Sequence, residues 1–98
     1  MSRVVVFRRL AKRELDDAIL WYEDRRKGLG YAFSVAIQKQ IARISISPEQ
    51  FPRVQGDVRK AVLRRFPYSI YFITDKQRIV VLAIVHVRRD PQHLESRS

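Results

Sequence analysis

The chain has 98 residues, 46% of them hydrophobic and 31% charged, proportions that suit one folded domain over residues 1–98 and exclude a disordered chain. Its 20 Lys and Arg stand against 10 Asp and Glu, a formal charge of +10 that costs self-repulsion and points to an acidic partner. Cysteine is absent and the two histidines are far apart in character, so disulfides, thiol nucleophiles and zinc sites are excluded, and no metal or cofactor is expected.

In chain order, Arg3 to Phe7 is short and β-branched, and reads as a strand. The period then changes: Ala11, Leu15, Ala18, Ile19 and Tyr22 recur on one face of an amphipathic helix. No Ser, Thr, Asp or Asn caps its start, whereas Arg25-Arg26-Lys27 and Gly28 supply the cations and the left-handed stop of a helix end. Past Gly28-Leu29-Gly30 a second helix is marked by Phe33, Ile37, Ile41 and Ile44, and Pro48 ends it. So short a link predicts an antiparallel helical hairpin.

The segment SPEQFPRVQGD reads as loop. Three strands are expected after it: Val58 to Arg65, Tyr68 to Thr74 and Arg78 to Val87, broken by Phe66-Pro67 and by Asp75-Lys76-Gln77. Short links make these an antiparallel meander, and the last strand, apolar on both parities, belongs inside the sheet. The predicted class is α+β, in the order β-α-α-β-β-β, with an N-terminal strand and a helical hairpin packed on an antiparallel sheet. The longest apolar run, IVVLAIV, falls far short of the ~20 residues of a spanning helix. The opening MSRVVVFRRL is no signal peptide, so a cytoplasmic protein without membrane contact is expected.

Several pieces now stand in order: Ala11, Glu14, Leu15, Ala18, Trp21-Tyr22-Glu23; Gly28-Leu29-Gly30 and Phe33; Phe51-Pro52; Val58-Arg59; Arg65-Phe66-Pro67-Tyr68 with Ile70-Tyr71-Phe72; and His86 before Arg88-Arg89-Asp90-Pro91. This series, running from about residue 3 to residue 91, resembles the RelE/ParE toxin superfamily of bacterial toxin–antitoxin systems, and within it the ParE-like, plasmid-stabilisation branch. The resemblance implies the same order of elements and a cognate acidic antitoxin that wraps the basic domain and silences it. Targets diverge in the superfamily. ParE-like toxins poison DNA gyrase by binding it, whereas RelE-like toxins cut messenger RNA on the ribosome.

Cleavage at a 2′-hydroxyl needs a base, an acid and cations around the phosphorane. The resemblance places one nuclease position at His86, but the tyrosine expected beside it is Val87 and the arginine expected on the middle strand falls at Ser69. His86 also shares parity with Val80, Leu82 and Ile84, which predicts a packed ring on an apolar strand face. No residue is therefore assigned as catalytic; His86 takes that part only under the nuclease alternative. Arg59, Arg65, Arg88 and Arg89 are the expected target- or phosphate-binding residues. Trp21 and Tyr22 are expected in the core, and Tyr68 and Tyr71 on opposite sheet faces. The favoured function is a growth inhibitor that acts by contact on a target such as gyrase. An endoribonuclease on the ribosome and an inactive member that keeps only its antitoxin are the alternatives.

Overall fold

A computed structural model describes residues 2–88. Arg89, with Asp90 and Pro91, lies outside the described residues. Strand β1 (Val4–Phe7) leads through Arg8 into helix α1 (Arg9–Arg25), and helix α2 (Leu29–Ile46) returns beside it. A 3₁₀ turn (Pro48–Gln50) precedes four further strands: β2 (Arg53–Gln55), β3 (Val58–Val62), β4 (Tyr68–Asp75) and β5 (Arg78–His86). They form one sheet in the order β1-β5-β4-β3-β2. The α+β class and the order of the expected elements hold. Because β1 runs parallel to β5 and the other pairs are antiparallel, the sheet is mixed.

The helical hairpin closes as the sequence predicts, with one addition. Gly28 takes φ 89°, the left-handed conformation that a side chain would disfavour. The Glu23 carboxylate then accepts the Gly28 N–H, at 3.1 and 2.9 Å from its two oxygens, and the Gly30 N–H at 3.0 Å. One acid on α1 thus caps the first N–H groups of α2, which have no partner inside their own helix. Ala11, Ala18 and Tyr22 of α1 and Phe33, Ile37 and Ile44 of α2 bury against the sheet. Phe33 lies about 5 Å, centroid to centroid, from the rings of Tyr22, Phe66 and Tyr68, so aromatic packing knits both helices to the start of β4.

Two expectations about the loops are corrected. The segment taken as loop contains β2, which pairs with Arg59 and Val58 through a turn at Gly56, φ 54°. β2 is wholly exposed, so it carries no alternation of apolar and polar residues to betray it. The strand expected to reach Arg65 stops at Val62, because Leu63 N–H bonds the Tyr68 carbonyl and Tyr68 N–H bonds the Phe66 carbonyl, turning the chain over Pro67.

β5 lies inside the sheet, between β1 and β4, buried from Ile79 to Ile84. It carries a bulge. Tyr71 pairs with Ala83 but the next residue, Phe72, pairs with Val81, leaving Leu82 as the extra residue. A bulge shifts the face alternation of everything beyond it. Ile79, Val81 and Ile84 therefore join the helix-side core, while Val80, Leu82, Ala83 and Val85 join a second cluster on the far face with Val58 and Tyr71. No helix among the described residues is long and apolar enough to cross a membrane.

Candidate functional site

The bulge decides where His86 points. Uninterrupted alternation grouped it with Val80 and Leu82; the structure places those two on the opposite face and leaves His86 on the side of Ile84, facing α1. There it is half-buried and lines a groove of about 680 Å³ between helix and sheet. Glu14, Asp17, Ala18, Trp21 and Tyr22 form the helix wall, at the i, i+3, i+4, i+7, i+8 spacing of a single helix face. Pro67, Tyr68, Ile84, His86 and Arg88 form the other wall.

The groove exists because β1 is short. Its last residue, Phe7, pairs with Val81, and Arg8 N–H bonds the Val81 carbonyl before the chain turns into α1. β5 continues to His86, five residues beyond the last one that β1 pairs with. Glu14 fills part of the gap: its Oε1 accepts the Ile84 backbone N–H at 3.0 Å. Tyr68 and His86 face each other across β4 and β5, and Val87 N–H bonds the Pro67 carbonyl at 2.8 Å. The alternation of an antiparallel ladder then turns the His86 backbone groups away from β4, toward the groove.

The His86 ring sits edge-on to Tyr68 with centroids 5.3 Å apart. Arg88 donates its backbone N–H to Nδ1 at 3.2 Å, so in the neutral ring the proton resides on Nε2. Trp21, expected in the core, is half-exposed on the groove rim, with the Arg25 guanidinium 4.2 Å from its ring centroid. Tyr22 is buried as expected, and burial, together with the nearby Tyr68, pushes its hydroxyl above the usual tyrosine range.

The expected arginines do not form one cluster. Arg88, exposed beyond β5, and Arg65, exposed after β3, lie at the same end of the sheet, because Leu63 and His86 both meet Tyr68. Arg65 holds its guanidinium 5.6 Å from the Phe66 ring. Arg59 pairs with Phe72, four residues along β4 from Tyr68, or roughly 13 Å at the rise of a strand. Its Nη1 donates to the Phe51 carbonyl at 2.7 Å, which ties down the loop before β2. Tyr71 faces away from the groove with Lys60 above its ring, and Tyr68 faces into it, on opposite faces as alternation requires. Ser69 belongs to the Tyr71 face and is buried, so the middle-strand position where a nuclease arginine was sought points away from His86.

The sequence reading missed the two carboxylates. Glu14 and Asp17 share the stripe of Ala18, Trp21 and Tyr22, and that spacing was the available signal. A further cationic group, Arg8, Arg9, Lys12 and Arg13, crowds the start of α1, with no acid in its first turn. Cations there oppose the helix dipole, so they add unfavourable energy unless an anion comes near. Lys12 is answered locally by Asp16 at 2.8 Å.

Comparison with known proteins yields one family match and two structures of the same fold. The family model described as the ParE toxin of the type II toxin–antitoxin system parDE matches residues 5–91. Among solved structures, a chain of the chromosomal ParDE toxin–antitoxin system from P. aeruginosa is 21% identical with a TM-score of 0.76, over 87% of this chain and 96% of that one. A chain of the RelBE2 toxin–antitoxin complex from Mycobacterium tuberculosis is 16% identical with a TM-score of 0.62, over 88% of this chain and 99% of its own. No curated protein matches the chain significantly.

Proposed function

Since the chain belongs to the ParE toxin family of type II toxin–antitoxin systems, we propose that it inhibits growth by binding DNA gyrase and that a cognate acidic antitoxin holds it silent. One observation carries the choice of contact over cleavage. The ring that would have to serve a nuclease, His86, shares its groove with the carboxylates of Glu14 and Asp17. Negative charges beside the ring would repel the scissile phosphate and oppose the charge that builds on a phosphorane. The ring's Nδ1 already accepts a backbone N–H, and its edge packs against the ring of Tyr68.

The basic surface serves binding. Arg65 and Arg88 at one end of the sheet, joined in sequence by Arg89, are the target contacts, and Arg59 shapes the adjoining loop. The cations at the start of α1 gain an anionic neighbour when an acidic antitoxin lies along the hairpin. Such charge complementarity quickens association more than it deepens affinity. The test sets a gyrase supercoiling assay beside a ribosome–mRNA cleavage assay on the purified chain. Inhibited supercoiling with intact transcripts is expected, together with DNA breaks and filamentous cells on induction. Transcripts cut at codons, with cutting lost in His86→Ala, would overturn the reading in favour of a nuclease. Unaffected growth and unaffected gyrase would make the chain an inactive member.

A further inference from the structure

Three segments bring cations to one end of the molecule. Helix α1 runs out into Arg25, Arg26 and Lys27, the turn after β3 carries Arg64 and Arg65, and Arg88 follows β5; all six are exposed. Packing places them together. The Tyr22 ring, one turn before Arg25 and Arg26, lies 5.0 Å from Phe66 and 6.1 Å from Tyr68. Tyr68 in turn pairs with His86, two residues before Arg88. Among the described residues none of the six has a carboxylate within ion-pair distance: the pairs Arg3–Glu49, Lys12–Asp16 and Arg78–Asp75 all lie elsewhere. Of the acids in the last turn of α1, Glu23 is committed to the Gly28 and Gly30 N–H groups, which leaves Asp24.

The end of α1 accounts for Arg25 to Lys27, which meet the negative pole of the helix dipole. It does not account for Arg64, Arg65 and Arg88, which come from the sheet. Like charges gathered this way cost free energy until a polyanion answers them. Five of the six are arginines, whose planar guanidinium pairs two phosphate oxygens at once. The aromatic rings at this end carry guanidiniums over them, Arg25 at 4.2 Å from the Trp21 centroid and Arg65 at 5.6 Å from that of Phe66. The surface on offer is therefore charge, not the apolar centre around which a protein interface is built.

We propose that this cationic ridge binds the phosphate backbone of double-stranded DNA without reading its sequence. A duplex repeats a negative charge about every 1.7 Å of its axis, so it meets cations from all three segments at once. This rests on the reading above and deepens it: the chain engages gyrase while gyrase holds DNA, with Arg65 and Arg88 on the duplex. The cations at the start of α1, roughly 24 Å from Arg25 at the rise of a helix, stay available to the antitoxin.

The probe is a fluorescein-labelled duplex of about 24 base pairs and mixed sequence, titrated with the full chain by fluorescence anisotropy at about 50 to 200 mM salt. Contact with roughly four to six phosphates gives a slope of log affinity against log salt of about −4 to −5, a several-hundred-fold loss over that range. Arg65→Gln combined with Arg88→Gln should weaken binding about tenfold or more and make the slope shallower by about 2. Lys39→Gln combined with Lys76→Gln removes as much charge from exposed sites elsewhere, Lys76 lying in the turn at the opposite end of β4 and β5, and should leave the slope unchanged. Matching circular dichroism melts establish that both variants are folded. Absence of binding at the lowest salt, or equal weakening by the two variants, would overturn the proposal. So would displacement of the labelled duplex by poly-glutamate as readily, charge for charge, as by unlabelled duplex. Gyrase is absent from this titration. A chain that binds the duplex but spares gyrase keeps the ridge and loses the target; one that inhibits gyrase but ignores free duplex keeps the target and loses the ridge.

Discussion

Gly30 is the narrowest point of the helical hairpin, and Gly30→Ala is the sharpest test of how the hairpin closes. A Cβ there would stand 2.6 Å from the Ile19 carbonyl oxygen and 3.0 Å from both Cβ and Oε1 of Glu23. The first neighbour is backbone and cannot rotate away, so α1 and α2 must part by several tenths of an ångström. Overpacking on that scale costs about 1–3 kcal/mol. Parting also stretches the bond from Gly30 N–H to the Glu23 carboxylate, a charge-assisted bond whose full loss would cost roughly 1.5–3 kcal/mol. Alanine returns up to about 1 kcal/mol through helix propensity. The balance is a loss of about 2–3 kcal/mol, or on the order of 10–20 °C in Tm for a domain this size. Gly28→Ala provides the comparison, because a Cβ at Gly28 meets nothing within 4 Å and pays only for its φ of 89°, about 1–2 kcal/mol. Thermal melts followed by circular dichroism should therefore rank Gly30→Ala below Gly28→Ala, and both below the parent. A Gly30→Ala protein melting within about 2 °C of the parent would refute the close-approach argument.

Removing the Arg59 guanidinium with Arg59→Met leaves the Phe51 carbonyl without its 2.7 Å donor and should lower urea-unfolding stability by about 1–3 kcal/mol, with the loop before β2 opening to protease first. At low pH the Asp75–Arg78 pair in the β4–β5 turn sets a second expectation: the hydrogen bond from Arg78 holds the Asp75 carboxyl below its usual 3.8, so its contribution is whole above that value and fades as pH falls through the lowered one. An acid titration of Tm should accordingly be shallower for Asp75→Asn. At the alkaline end the sign reverses, because Tyr22 ionises more readily unfolded than folded. Stability should decline as pH rises above 10 and through the raised folded value, and Tyr22→Phe should flatten that limb in melts taken across the range.

Much of this protein follows from local pattern. The spacing of Ala11, Leu15, Ala18 and Tyr22, the left-handed stop at Gly28 and the chain end to α2 at Pro48 are each set by periodicity or backbone chemistry within a few residues, so the helical hairpin was legible from sequence alone. The polar turn Asp75-Lys76-Gln77 and the apolar density of Ile79 to Val85 likewise pointed to the meander and the interior place of its last strand. The net charge of +10 also points to an acidic partner without reference to the fold.

What the tertiary structure alone decided is register and approach. A single extra residue at Leu82 moved His86 from the face of Val80 to the groove beside α1, and strict alternation has no means of announcing a bulge inside a uniformly apolar run. Pairing of Glu14 with Ile84 N–H joins residues 70 positions apart, and the choice of that acid to fill the gap left by the short β1 is made by packing. Trp21 falls outside the core because the stripe it borders is narrower than its spacing implies, and Arg59 turns from a free cation into a loop tie because Phe51 lies within reach. Local sequence settles which segments form helices and strands; which side chains end up facing one another depends on how far each strand runs and where its ladder slips, and those lengths are fixed only when the sheet and the hairpin close on each other.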